Sequence, residues 1–264
     1  MLGALIGDIV GSRFEWHNYK GKDFKLFTPA CHPTDDSIMS LALVEAILES
    51  RPDFSELEEQ AARQMQVFGR RYPNAGYGGR FFRWIYAEHP QPYNSFGNGA
   101  AMRISPAGFA GRSEEEVMML AQKVTAVTHN HPEGMKGAQA VALAIWLARS
   151  GADKTKIRAR ITRDYYPLDF TLDEIRPAYT FDVSCQGSVP QALEAFFESS
   201  DFEDAIRLAI SIGGDSDTIG AMTGGIAQAY YGIPAALREQ ALSYLDDFQM
   251  DVLRRFEAAY MAEK

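Results

Sequence analysis

The chain has 264 residues, of which 46% are hydrophobic and 23% charged, with a formal net charge of −9 at neutral pH. Such a length fits one large domain or two small ones with a sizeable core, and the composition is that of an ordinary soluble globular protein. The negative balance argues against a general affinity for nucleic acid or anionic membrane. Two cysteines, Cys31 and Cys185, fit a reducing compartment better than a disulfide framework. The opening segment Met1 to Asp8 lacks a basic stretch and reaches an acid too soon for a signal peptide, and no uncharged apolar run reaches ~18 residues. A cytoplasmic protein with no membrane partner is expected.

In chain order, the first segment of interest is Gly7-Asp8-Ile9-Val10-Gly11-Ser12-Arg13-Phe14-Glu15. On a helix, Asp8 and Glu15 would share a face, being seven residues apart. A solvated helix surface accounts for both unless a metal lies nearby, where Glu15 would serve as a movable carboxylate. Thr34-Asp35-Asp36-Ser37 then opens a nearly all-apolar run, Ile38 to Leu48, which reads as a central helix buried all round. Residues 55–70 form an amphipathic surface pattern that stops before Tyr72-Pro73. Two glycine loops follow. Tyr77-Gly78-Gly79-Arg80 sets a cation beside glycines, and Ser95-Phe96-Gly97-Asn98-Gly99, continuing to Met102-Arg103, has the make-up of a phosphate cradle. Met102 stands at the third glycine position of a dinucleotide fingerprint and no strand precedes the loop, so that fold is not indicated.

Helical spacing recurs over 114–127, 133–149 and 188–198, with Gly151 as a C-cap. His129 and His131 precede a helix beginning at Pro132; with no cysteine or third histidine beside them, contact to a polar ligand is the sharper reading than zinc. Tyr179 to Val183 has strand-like composition, but one strand makes no sheet. A helical pattern over 202–212 leads to the second acidic cluster, Asp215-Ser216-Asp217-Thr218, which opens the run Ile219 to Tyr231. Glycines at 220, 224 and 225 cost a helix roughly 1 kcal/mol each relative to alanine, so they imply close backbone approach to a neighbour. Helices over 234–243 and 246–261 complete a single all-α domain spanning residues 1–264.

The two acidic clusters carry the chemistry. Either alone is explained by helix capping, through Thr34, Asp35 or Asp215. Repetition at two buried helix starts favours metal: if folding joins them, four carboxylates and two hydroxyls converge, and two divalent cations supply +4 against −4. Hard oxygen ligands suit Mg²⁺, Mn²⁺ or Ca²⁺. An EF-hand is rejected because Ile219 and Ile226 stand where that loop needs oxygen ligands.

Taken together, Gly7-Asp8, Gly11, Glu15, Thr34-Asp35-Asp36-Ser37, Gly97-Asn98-Gly99-Ala100-Ala101-Met102-Arg103, Thr128-His129 and Gly213-Gly214-Asp215-Ser216-Asp217-Thr218 resemble the ADP-ribosylglycohydrolase family. That family includes dinitrogenase reductase-activating glycohydrolase and the ADP-ribosyl-acceptor hydrolases, and the likeness runs from about residue 3 to about residue 232. It implies an all-α orthogonal multi-helix bundle with a binuclear Mg²⁺ or Mn²⁺ centre. Thr34, Asp35, Asp36, Asp215, Asp217 and Thr218 correspond to the metal ligands, Glu15 to a mobile glutamate near the scissile bond, and Ser95 to Gly99 to the loop holding the diphosphate and distal ribose. Gly78, Met102 and His129 are further substrate contacts, and Phe96 stands where some members carry tyrosine, which suits adenine stacking.

The implied activity is hydrolysis at the ribose anomeric carbon of an ADP-ribosylated protein or small ADP-ribose conjugate, with Asp36 or Glu15 as general acid or base. A non-catalytic ADP-ribose binder of the same fold and a nucleotide pyrophosphohydrolase are the alternatives. The family's acceptor-selecting outer loops are short or absent, and the oligomeric state is left open.

Overall fold

The computed structural model describes residues 1–261, and every regular element among them is a helix. In chain order these are α1 (Leu2–Gly11), α2 (Asp35–Glu49), α3 (Leu57–Arg71), α4 (Gly79–Ile85), α5 (Gly99–Met102), α6 (Ser105–Ala110), α7 (Glu114–Ala126) and α8 (Pro132–Arg149). The second half contributes α9 (Lys154–Asp164), α10 (Leu172–Ile175), α11 (Cys185–Glu198), α12 (Phe202–Ser211), α13 (Ser216–Tyr231), α14 (Ala235–Leu242) and α15 (Asp247–Tyr260). Their buried apolar side chains form one cluster reaching from Met1 to Phe256. None of the described helices is long and apolar enough to cross a membrane.

The all-α expectation holds, and both acidic clusters do open central helices. In α13 every residue from Ser216 to Gln228 is buried. The close approach implied by its glycines is made with α1. Gly3, Gly7 and Gly11 face Gly224, Gly220 and the Ser216–Asp217 backbone in turn, so the two helices run antiparallel in backbone contact. A Cβ at Gly220 would lie 2.6 Å from the Gly7 carbonyl oxygen, and one at Gly7 would overlap the Gly220 carbonyl. No other residue type fits those positions.

Several boundaries differ from the sequence patterns, for a common reason. Helices α2, α11 and α13 begin about three residues before their apolar runs, at Asp35, Cys185 and Ser216. Polar first turns are favoured by capping and by the helix dipole but carry no apolar periodicity. The short helices α4, α5, α6 and α10 and the charged α9, which buries only Ile157 and Ile161, were likewise invisible to periodicity. One expectation is corrected. Asp8 and Glu15 do not share a helix face, because α1 ends at Gly11 and the chain turns away through Ser12 to Phe14. Tyr179 to Val183, strand-like in composition, belongs to no sheet: Asn98 N–H donates to the Val183 carbonyl and Cys185 N–H to the Phe96 carbonyl, which makes one isolated bridge.

Candidate metal centre and ligand cleft

Thr34 caps α2, its hydroxyl accepting from the Asp36 N–H at 3.3 Å. The start of α2 is fixed from a second helix by Asp8, whose carboxylate is fully buried. Asp8 Oδ1 accepts from Thr34 Oγ1 at 2.6 Å, while Oδ2 accepts from the Thr34 and Ser37 N–H groups, both at 3.0 Å, and from the Ser37 hydroxyl. With its lone pairs so committed, Asp8 holds the cluster together. Sequence reasoning left it as helix surface; its polarity inside an otherwise apolar helix was the available signal.

The start of α13 is delivered to the same place by the α1 contact and by the turn at Gly213 and Gly214, whose φ values of 70° and 76° favour glycine. Asn18 braces that turn, accepting from Gly214 N–H at 2.6 Å and donating to the Glu15 carbonyl at 2.9 Å. It thereby ties the Glu15 segment to the second acidic cluster. Asp215 sits at the N-cap position of α13 without capping it. Its Oδ2 instead accepts from Asn98 Nδ2 at 2.6 Å, which links the cluster to the 95–99 loop.

The result is two adjoining acid triads, Asp8–Asp36–Asp217 and Glu15–Asp215–Asp217, each with oxygens within 4.8 Å of one another. Thr218 Oγ1 donates to Asp36 Oδ2 at 3.3 Å, and Asp36 Oδ1 is buried without any hydrogen-bond partner. Burial, followed by the neighbouring carboxylates, drives the carboxyl groups upward in pKa. Asp36 and Asp217 stand well above the usual range, Asp35 is pushed up to about 8, and Glu15 to about 7. No basic side chain makes an ion pair with any of these acids among the described residues.

A cleft of about 410 Å³ opens over this centre. Of the residues singled out in the sequence, Glu15, Asp35, Asp36, Asp215, Asp217 and Thr218 line one part, and Gly78, Ser95, Gly97, Asn98, Gly99, Met102 and His129 line another. Thr34 lies just behind the wall. Phe96 is not in the lining: it is 48% exposed and packs on His131, whose own ring nitrogen accepts from Glu133 N–H. The 95–99 loop is held by its bridge to Ser184, and Gly78 and Gly79 have no atom near the position of an added Cβ, so neither is demanded by packing.

Trp16, Phe81, Tyr93 and Phe181 also line the cleft without having been singled out in the sequence, and so do Arg80 and Arg103, which stood there only as parts of their loops. Trp16 is 73% exposed and stacks on Phe181 with centroids 5.3 Å apart, at the rim beside Glu15. Arg80 donates to the Tyr93 carbonyl at 2.7 Å, with its guanidinium 4.9 Å from the Tyr93 ring centre. Such residues carry no local pattern, since they meet only through tertiary contact.

A family model described as ADP-ribosylglycohydrolase matches residues 1–263. The chain is 26% identical to ADP-ribosylhydrolase ARH3 of Homo sapiens, over 88% of this chain and 84% of that one. It is 27% identical to ADP-ribosylarginine hydrolase Tri1 of Pseudomonas putida (strain GB-1), over 88% of this chain and 70% of that one. A solved structure described as an ADP-ribosylglycohydrolase-related protein complex superposes with a TM-score of 0.70 at 26% identity, covering 98% of this chain and 96% of that chain. The chain is therefore a member of the ADP-ribosylglycohydrolase family, a family of ADP-ribosyl-hydrolysing enzymes.

Proposed function

We propose that this enzyme cleaves the bond between the ribose anomeric carbon and its acceptor, releasing ADP-ribose, with two divalent cations, Mg²⁺ or Mn²⁺, held by Thr34, Asp35, Asp36, Asp215, Asp217 and Thr218. The observation that carries the reading is the meeting of two acidic helix starts at one end of a cleft whose other wall is a glycine loop. The donor set is all oxygen, which suits hard cations. Asp36 Oδ1, buried and unpartnered, has a lone pair available for a cation. Thr34 Oγ1 gives its hydrogen to Asp8 and Thr218 Oγ1 gives its own to Asp36, so each hydroxyl has an oxygen lone pair that a cation could take. When bound, the cations would neutralise the acids, polarise the ribose hydroxyls and lower the pKa of a water.

The chain's own groups then divide the work. The Gly97–Gly99 loop receives the diphosphate, with Gly99 N–H as its backbone donor, since Gly97 N–H donates to Ser95 Oγ at 3.2 Å and Asn98 N–H to the Val183 carbonyl at 2.8 Å, and the open space at Gly78 and Gly79 leaves room beside it. Ser95, Met102 and His129 bound the ribose and phosphates. Glu15, whose backbone carbonyl is held by Asn18 beyond the end of α1, moves a proton at its carboxylate oxygen between water and the leaving group, with Asp36 as the other carboxylate suited to that role. Cleavage at the anomeric carbon passes through an oxocarbenium-like transition state. Trp16 on Phe181 offers a flat face beside Glu15 to a planar cation. Together with a relative named ADP-ribosylarginine hydrolase, it makes arginine the first acceptor to test. Cys31 and Cys185 are free thiols, which suits action in a reducing cytoplasm.

The test is a product assay with ADP-ribosyl-arginine and ADP-ribosyl-serine peptides and O-acetyl-ADP-ribose, each with Mg²⁺, with Mn²⁺ or with chelator. Metal-dependent release of free ADP-ribose supports the proposal. Release of AMP would assign a pyrophosphohydrolase, and binding without turnover a non-catalytic reader.

A further inference from the structure

Arg103 follows α5 and is 1% exposed, one of the largest fully buried side chains in the protein. Buried guanidinium groups are normally paired with an acid, because removing an uncompensated charge from water is costly. Arg103 makes no ion pair among the described residues. Its Nη2 donates to Thr128 Oγ1 at 2.7 Å and lies 3.1 Å from His129 Nδ1, while its guanidinium carbon sits 5.1 Å from the Phe81 ring centre. Burial lowers its pKa only to about 10, so the charge persists at neutral pH.

We propose that Arg103 is a positioning residue: it locks His129 in the tautomer protonated at Nε2, so that an N–H faces the diphosphate of the ligand. The inference rests on the reading of the cleft as an ADP-ribosyl site. A guanidinium has N–H donors and no acceptor, so a ring nitrogen 3.1 Å from it must present its lone pair. Thr128 Oγ1, while accepting from Arg103, keeps its own hydrogen to donate to the same Nδ1 at 2.8 Å. The ring is held neutral, its pKa driven well below the usual histidine range first by burial and then by Arg103 and Arg80. One proton remains to be placed, and Nε2 is the position left for it.

Nε2 has no hydrogen-bond partner among the described residues and lies along the glycine loop. A Cβ built at Gly99 or Gly97 would stand 3.4 or 3.6 Å from it. Absent Arg103, the Thr128 hydroxyl would be free to accept from a protonated Nδ1. The ring would then turn a lone pair toward the phosphate oxygens, exchanging attraction for repulsion.

Two measurements on the full chain with Mg²⁺ test this. Long-range ¹H–¹⁵N correlation spectra, with the His129 signals assigned by loss in His129→Ala, should show a neutral ring protonated at Nε2 in the wild type. They should show a shift toward the Nδ1-protonated form in Arg103→Met. Calorimetry with ADP-ribose should give roughly 10–100-fold weaker binding for Arg103→Met. Arg103→Lys, which keeps a donor and a charge, should recover part of that loss. Because the action runs through His129, the Arg103→Met, His129→Ala double variant should bind little more weakly than His129→Ala alone. A wild-type ring protonated at Nδ1 or at both nitrogens would overturn the proposal even if the variants failed to fold, as would additive losses in the double variant. Failure of the wild type to bind ADP-ribose would count against the glycohydrolase reading, while the tautomer measurement would still decide this one.

Discussion

Asp8 and Glu15 are both acids near the N-terminus, and their surroundings give them opposite tasks. Asp8 is saturated by hydrogen bonds from Thr34 and Ser37, so its value lies in geometry. Glu15 is partly exposed at the cleft, lies next to Trp16 and has a pKa pushed up to about 7 by burial and then by Asp215 and Asp8. Glu15→Ala should therefore lower turnover by roughly 10²–10⁴-fold while changing ADP-ribose affinity far less. Comparing steady-state rates with calorimetric affinity checks this, and equal loss of both quantities would remove Glu15 from the proton-transfer role. Asp8→Asn should act differently. An amide replaces one of the two accepting oxygens with an NH₂ donor, so the groups bonded to that oxygen lose their acceptor and the anchoring of Thr34 and Ser37 is weakened. Weaker Mg²⁺ binding by titration calorimetry is the expected result, and unchanged metal affinity would show that Thr34 is held by the α2 cap alone.

At the scale of elements, the contact between α1 and α13 sets the distance between the acids. Gly3, Gly7 and Gly11 recur every fourth residue along one face of α1, against Gly224, Gly220 and the first turn of α13. Adding a methyl group at Gly7 forces the helices apart or strains their backbones. Gly7→Ala should cost at least about 1–3 kcal/mol of stability, the usual range for overpacking. It should also weaken metal binding, because moving α13 moves Asp215 and Asp217 with it. Thermal melts with and without Mg²⁺ separate the two effects: a lower melting temperature with an undiminished metal-induced shift would show that the spacing of the acids does not depend on this contact.

For the molecule as a whole, the acid centre is a store of repulsion that a cation relieves. Asp35, with a pKa of about 8, and Glu15, at about 7, both stand above the usual carboxylate values near ~4. The metal-free folded protein thus binds more protons than the unfolded chain between ~4 and about 8, and its stability falls as pH rises through that window. Raising the pH from ~4 toward about 8 should lower the melting temperature of metal-stripped protein. Mg²⁺ should stabilise most at the upper end, by ~2.7 kcal/mol at a concentration 100-fold above its Kd. Melting temperatures that rise with pH in chelator would contradict this.

How much of this was legible in the linear chain differs by feature. The all-α class, the central helices α2 and α13 and the two acidic clusters were readable because each is local: apolar periodicity, a glycine-bearing buried run, and acids at helix starts. The motif set also placed the 95–99 loop and His129 on the cleft side. Asp8 was missed as the anchor of Thr34 because its partners lie more than twenty residues away, and no spacing rule reaches that far. Trp16 and Phe181, or Arg103 and His129, likewise become pairs only when separate helices and loops are packed together. Sequence alone determined which residue types are available to hold a hard cation and an anionic ligand, since that is a property of the side chains. The tertiary structure decided which carboxylates are saturated and which keep a free lone pair, because burial and hydrogen-bond satisfaction depend on what the fold sets beside each atom.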